Sequence, residues 1–180
     1  KADPESGRQP RNLSFTSSNF EVNVTGIVNF FPQGRRFYQR PGFNIYGFAG
    51  IGITYFNPKT EYQGQKIALQ PLQTELVKYS RITPVIPYGL GARFKMGPFF
   101  NLAIEGGLRK TFTDYLDDVS TVHHDAASFS EPLAAALSDR RPEIGLPVAP
   151  DGSVRGNPDK KDSYFLLTLK VEYYLTDNFF

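Results

Sequence analysis

Residues 85–109, VIPYGLGARFKMGPFFNLAIEGGLR, hold two period-two patterns back to back. Ile86, Tyr88, Leu90, Ala92 and Phe94 fall on one side of an extended chain, with Gly89, Gly91, Arg93 and Lys95 on the other. After Met96-Gly97-Pro98-Phe99, a stretch with room only for a tight connection, Phe100, Leu102, Ile104, Gly106 and Leu108 oppose Asn101, Ala103, Glu105, Gly107 and Arg109. Two apolar-polar alternations around a Gly-Pro turn read as a β-hairpin.

The same rhythm recurs outward from this hairpin. Between Asn19 and Phe30, the residues Phe20, Val22, Val24, Val28 and Phe30 share one face with Gly26, opposite Glu21, Asn23, Thr25, Ile27 and Asn29. From Phe43 to Tyr55, an Ile-rich odd face opposes Asn44, Tyr46, Phe48, Gly50, Gly52 and Thr54. From Ser163 to Leu175, Phe165, Leu167, Leu169, Val171 and Tyr173 oppose Tyr164, Thr168, Lys170, Glu172 and Tyr174, with Leu166 the one apolar intruder. Each strand runs about ten to thirteen residues, whereas strands of soluble domains average about five or six. Tilted strands of about nine to eleven residues with an apolar outer face are what a bilayer core requires. Phe30, Phe31, Phe43, Tyr55, Phe56, Phe99, Phe100, Tyr173 and Tyr174 stand where interfacial aromatic girdles are expected. Connections alternate too: the turn at Gly97 is short, while Asn57 to Pro84 and Thr113 to Asp162 are long. Short turns on one rim and long loops on the other match an outer-membrane barrel. One short helix is expected in the longest loop, over Pro132 to Asp139, PLAAALSD, with Pro at its start.

Composition agrees with strands and turns: 16 Phe, 10 Tyr, 16 Gly and 14 Pro in 180 residues, read as a single domain over 1–180. No run approaches the roughly 18 to 20 apolar residues of a membrane helix. The 20 basic and 18 acidic residues leave a net charge of +2, too little to hold nucleic acid through its phosphates. With no cysteine there is neither a disulfide nor a thiolate ligand.

On the polar faces, Glu21, Arg93, Lys95, Glu105, Arg109, Lys170 and Glu172 carry charges of both signs. Such groups are expected to form an ion-pair network filling a narrow lumen, with Glu105 seeking Arg93, Arg109 or Lys170. The two histidines, His123 and His124, precede Asp125, but without a serine of recognisable context they read as solvated loop residues. Asp114, Asp117 and Asp118 lack the alternating spacing of a calcium loop. No catalytic, cofactor-binding or metal-binding set is expected.

Five segments carry a resemblance beyond architecture: KTFTDYLDDVS at 110–120, YGFAGIG at 46–52, VIPYGLGARFK at 85–95, ALSDRRPEIGLP at 136–147 and RGNPDKKD at 155–162. Together they resemble the PorG-like outer-membrane β-barrel family of Bacteroidetes, a component of the type IX secretion system. That resemblance implies an eight-stranded antiparallel transmembrane barrel in the outer membrane, no cofactor, contact with outer-membrane lipids, and association with a periplasmic ring of the PorK and PorN type, called GldK and GldN in gliding bacteria. About five long strands are present here, so the first three of the family are expected to be missing from a chain that opens in the loop-like KADPESGRQPRN. Small outer-membrane pore, uncharacterised barrel paralogue and barrel enzyme are the alternatives. A conducting pore would need a wider lumen than these charges leave.

The connection Pro32 to Pro41 is long for a periplasmic turn and carries Arg35, Arg36 and Arg40 with Phe37 and Tyr38 between them. Arginine with aromatics is the composition of an interface anchor, and these five residues are the expected meeting surface for the ring. The alternative is that the arginines contact lipid phosphates at the inner leaflet.

Overall fold

In a computed structural model, which describes residues 11–32, 34 and 39–175, the protein is an all-β chain of mostly antiparallel strands with one short α-helix. The strands are β1 (Thr16–Ser17), β2 (Phe20–Asn29), β3 (Phe43–Tyr55), β4 (Pro58–Tyr62), β5 (Gln65–Ala68), β6 (Ile82–Met96), β7 (Phe100–Thr111) and β8 (Ser163–Tyr173), and helix α1 is Pro132–Ser138. They form a three-stranded sheet in the order β1-β4-β5 and a five-stranded sheet in the order β2-β3-β6-β7-β8. Contacts group the chain into two compact units, one of residues up to 21, 54–83 and 112–162, the other of 22–53, 84–111 and 163 onward.

The second unit carries the long strands. Gly97 takes a φ of +82°, which a glycine adopts without steric cost, so β6 can turn back at once with Met96 opposite Phe100. That register runs to Val85 opposite Thr111, and β8 continues it on the far side of β7 with Phe100 opposite Tyr173. On the other flank, the Phe30 N–H donates to the Ile45 carbonyl at 2.8 Å and the Lys95 N–H to the Gly42 carbonyl at 2.9 Å. The five strands meet in order but do not close, so β2 and β8 are edges among the described residues. A closed barrel, expected from the sequence, is not formed by these residues; what is present is an open sheet of barrel-length strands.

The pleat separates two faces. Residues of one parity, including Ile51 at 73% exposed and Leu169 at 67%, stand outward with Val24, Leu90, Ile104 and Val171. Those of the other parity are buried on the central strands, around Tyr46, Phe48 and Ala103, and become more exposed toward the edges β2 and β8. Glycines make room for the two rings: a Cβ on Gly91 would lie 2.3 Å from Tyr46 Cζ, and one on Gly107 2.6 Å from Phe48 Cζ.

In the first unit, β4 and β5 form a hairpin through Gln63 and Gly64, whose φ of 50° and 77° match a primed turn. Phe56 is buried and stacks on Tyr79 at 6.2 Å, which stacks on Tyr115 at 4.5 Å. Helix α1 starts with Pro132 in its first turn, buries Ala134 and Leu137, and gives way to extended chain at Asp139.

Candidate functional site: buried charge networks

The alternation of β6, β7 and β8 puts Arg93, Asn101, Glu105, Lys170 and Glu172 on the buried face of the sheet. Arg93 forms a fork with Glu172, Nε to Oε2 at 2.6 Å and Nη2 to Oε1 at 2.8 Å. Its Nη1 donates to Asn29 Oδ1 at 3.0 Å, and its guanidinium lies 4.5 Å over the Tyr46 ring. Asn29 is on β2 and Glu172 on β8, so one side chain on the central strand reaches both edges, and the sheet curls around it. Glu105 meets the Lys170 ammonium at 2.5 Å and accepts the Tyr46 hydroxyl at 2.8 Å. That hydroxyl reaches Glu105 only because Gly91 lets the ring lie flat.

Of the charges expected on this face, four therefore form two linked contacts, Arg93 with Glu172 and Glu105 with Lys170. Arg109 is half-buried on β7 and its Nη1 passes over Gly107, while Glu21 is half-buried on β2.

Arg40 corrects the expected partner surface. It is buried, its Nε donates to Asn101 Oδ1 at 2.8 Å, Nη1 to the Pro98 carbonyl at 2.8 Å, and Nη2 to the carbonyls of Gly97 at 3.1 Å and Phe100 at 3.0 Å. The guanidinium also rests 4.5 Å from the Tyr174 ring. A tight turn leaves carbonyls without strand partners, and Arg40 supplies their donors; it fastens the β6-β7 turn instead of facing outward. Arg35, Arg36, Phe37 and Tyr38 lie outside the described residues.

Of the aromatics expected in girdles, Phe30, Phe31, Phe43, Tyr55, Phe99, Phe100 and Tyr173 are exposed, with Phe43 against Phe94 at 5.2 Å and Phe100 against Tyr173 at 5.0 Å. Phe56 and Tyr174 are corrections: the first is buried in the stack with Tyr79, the second is half-buried beneath Arg40.

The first unit holds a network that the sequence did not announce. Glu75 Oε1 accepts Arg155 Nη1 at 2.7 Å and the Ser120 N–H at 2.9 Å, and Oε2 accepts the N–H and hydroxyl of Thr121, both at 2.8 Å. Arg155 also donates to the carbonyls of Ser138 at 3.1 Å and Asp118 at 2.7 Å. The Asp118 carboxylate accepts Thr74 Oγ1 at 2.5 Å and the Tyr79 hydroxyl at 2.6 Å. Burial pushes the Asp118 carboxyl up against these bonds, and burial followed by the Asp118 charge pushes the Tyr79 phenol up. Burial, then the Asp162 charge, raises Asp117 to about 6. Asp114 and Asp162 are raised as well, burial leading in each.

His123 is buried, not solvated as expected, and burial followed by the Arg155 charge pushes its pKa down. His124 Nδ1 lies 4.0 Å from Asp151 Oδ1. Among the described residues, no group of three or more His, Asp or Glu side chains is arranged to hold a metal ion.

Nothing in the chain spacing links Glu75 to Arg155, 80 residues apart in loop-like sequence. The one signal available was RGNPDKKD itself, whose arginine precedes a turn and lies in a loop too long to stay ordered without an internal anchor. Comparison with protein-family models, curated proteins and solved structures gives no match.

Proposed function

We propose that the five-stranded sheet spans a bacterial outer membrane as part of a β-barrel, and that the protein is a structural subunit of the type IX secretion machinery of the PorG-like kind. The observation that carries this reading is the outward face of the sheet. It presents Val22, Val24, Val28, Ile51, Ile53, Leu90, Ile104, Leu167, Leu169 and Val171 to the exterior, and the one charge of that parity in these five strands is Lys110, near the end of β7. Monomers in water rarely expose apolar patches beyond a few hundred Å². Lipid removes that cost.

Dimensions support the same reading. At about 3.3 Å per residue and a tilt of about 40°, the 13 residues of β3 rise about 30 Å, the thickness of a hydrocarbon core. Exposed aromatics stand at both ends of β3, Phe43 and Tyr55, and of the β2 segment, Phe20 and Phe30. The opposite face satisfies its charges internally, as a lipid-embedded wall requires.

Open edges are not tolerated in lipid. Because the five strands alternate in direction, β2 and β8 run the same way, and antiparallel closure takes an odd number of additional strands. The segments at 46–52, 85–95, 110–120, 136–147 and 155–162 support membership in the secretion family, and with it a periplasmic ring partner of the PorK and PorN (GldK and GldN) type. The small-pore alternative is disfavoured by Arg93, which extends across the inner face from the central strand and is held there by Asn29 and Glu172.

Single cysteines at positions 104 and 105 in native outer membranes test the membrane reading. Ile104→Cys should resist a water-soluble maleimide and react with a membrane-permeant one. Labelling of 104 by the water-soluble reagent, with 105 reached only by the membrane-permeant one, would overturn the assignment of the faces. Affinity purification of the full chain from its own membranes tests the rest: ring lipoproteins should accompany it, and a barrel isolated without them, conducting ions in a planar bilayer, would favour the pore.

A further inference from the structure

Where β3 ends and β6 begins, an arginine is held in place with its donors unused. Tyr55 closes β3 and Ile82 opens β6, both with the parity of the outward rows, and they are 38% and 58% exposed. The Phe56 N–H donates to the Arg81 carbonyl at 2.9 Å, which brings Arg81 alongside the end of β3. Ser80 fixes the next link: its hydroxyl donates to the Ile82 carbonyl at 3.0 Å and accepts the Ile82 N–H at 3.1 Å. From that base the half-buried Arg81 side chain carries its guanidinium over the Tyr55 ring, 5.5 Å from the centroid.

The ring is its one contact. Arg40, Arg93, Arg140 and Arg155 all donate to protein oxygens. Arg81 has no hydrogen bond or ion pair among the described residues, and the same holds for the Tyr55 hydroxyl and for Lys78, exposed three residues before Arg81. Residues 76–82, LVKYSRI, carry these two cations and no acid, and Leu76 and Val77 are exposed. A guanidinium stacked on a ring keeps its planar N–H edge free, and that edge matches two oxygens of a phosphate. Apolar side chains beside unused cationic donors suit the boundary of a bilayer, where ring and alkyl stems meet acyl chains while polar tips reach the headgroups.

We propose that Tyr55 and Arg81, aided by Lys78, bind the phosphate of an anionic lipid headgroup. The proposal rests on the membrane-spanning reading of the sheet. Arg81 forks two phosphate oxygens, the Tyr55 hydroxyl donates to one of them, and Lys78 adds positive charge. Each such cation favours an anionic over a zwitterionic headgroup by about fivefold.

The chain contains no tryptophan, so Tyr55→Trp, which keeps a ring for Arg81 and one N–H donor, places a fluorophore at this position alone. The full chain carrying it is reconstituted in phosphatidylcholine vesicles in which a minor fraction of the lipid has brominated acyl chains, as phosphatidylglycerol or as phosphatidylcholine. Brominated phosphatidylglycerol should quench position 55 as strongly as about five times as much brominated phosphatidylcholine. Arg81→Gln should remove most of that preference without changing quenching by phosphatidylcholine, and Lys78→Gln should remove less. Equal quenching by the two lipids with Arg81 intact, or a preference that survives Arg81→Gln, would overturn the phosphate site and leave the membrane reading standing. No quenching even in wholly brominated vesicles would overturn the membrane reading at this position, and the site with it. A preference lost in sodium phosphate but kept in sodium chloride of equal ionic strength would make free phosphate the ligand and overturn the lipid.

Discussion

Lys170 with Glu105 on the sheet, and Arg155 with Glu75 in the loops, are ion pairs of nearly the same length, 2.5 and 2.7 Å. Their surroundings differ. The Lys170 side chain is 45% exposed and Glu105 6%, while Arg155 and Glu75 are 2% and 1% exposed. A lysine that keeps its solvent gains little from its partner and loses little without it. Arg155 and Glu75 have given up water altogether, and their attraction repays that only because every oxygen of Glu75 has a donor. One contact trims the surface of a sheet that hydrogen bonds already hold; the other stands in for a core in a region with few strands.

Cutting the buried pair should therefore have the largest effect. Arg155→Met leaves Glu75 charged and without its cation, and is expected to cost about 3–5 kcal/mol. Hydrogen exchange at Ser120 and Thr121 should lose its protection while amides of β7 and β8 keep theirs. A variant as stable as the parent would mean that backbone donors alone hold Glu75. Arg93→Gln comes next, since it removes the fork to Glu172 and the bond to Asn29; about 2–3 kcal/mol is expected from charged hydrogen bonds of this kind, read as a fall in melting temperature in micelles.

A smaller effect depends on pH. Burial and Asp162 hold the Asp117 carboxyl at about 6, above its unfolded value of about 3.9. The folded state keeps this proton where the unfolded chain has released it, so stability falls as pH rises between about 4 and 6 and stays low above that window. Asp117→Asn, which can still accept the Val119 N–H, should stabilise the first unit by about 1–2 kcal/mol at pH 7 and by nearly nothing at pH 4. Comparing variant with parent at each pH cancels His123, whose pushed-down pKa acts oppositely by removing stability as pH falls below its unfolded value of about 6.5. Lys170→Met should be the mildest change, under about 1 kcal/mol. If it proved costlier than Arg155→Met, exposure would not be what separates the two pairs.

The long strands were legible because a pleat with unlike faces imposes a period of two on every residue; β3 and β7 begin where the alternation begins, at Phe43 and Phe100. Helix α1 was legible from Pro132 and its alanines. The start of β6 at Ile82 was not, since Pro84 and Pro87 break the look of a strand while remaining inside one. Nor was the β4-β5 hairpin: its four- and five-residue strands are too short to show a period, and only Gln63-Gly64 marks the turn. Among the charges, the face of Arg93, Glu105 and Glu172 followed from parity, but parity is silent about loops. Arg40 read as an interface anchor because composition reveals charge and not direction; its guanidinium points into the hairpin turn. Arg155 and Glu75 meet only through tertiary folding, which no local pattern records.

The two-edged reach of Arg93 also sets an order of events. Its bond to Asn29 joins residues 64 apart, and its bond to Glu172 joins residues 79 apart in the other direction. The first needs only the stretch from β2 to β6, whereas the second also needs β7 and β8 in place. Contacts so distant in sequence form late, after nearer ones have reduced the entropy of closing the chain. Arg93 therefore acts as a timer as well as a tie: until β8 docks, its charge faces an unfinished wall, and the arrival of Glu172 completes the contact that joins the two edges.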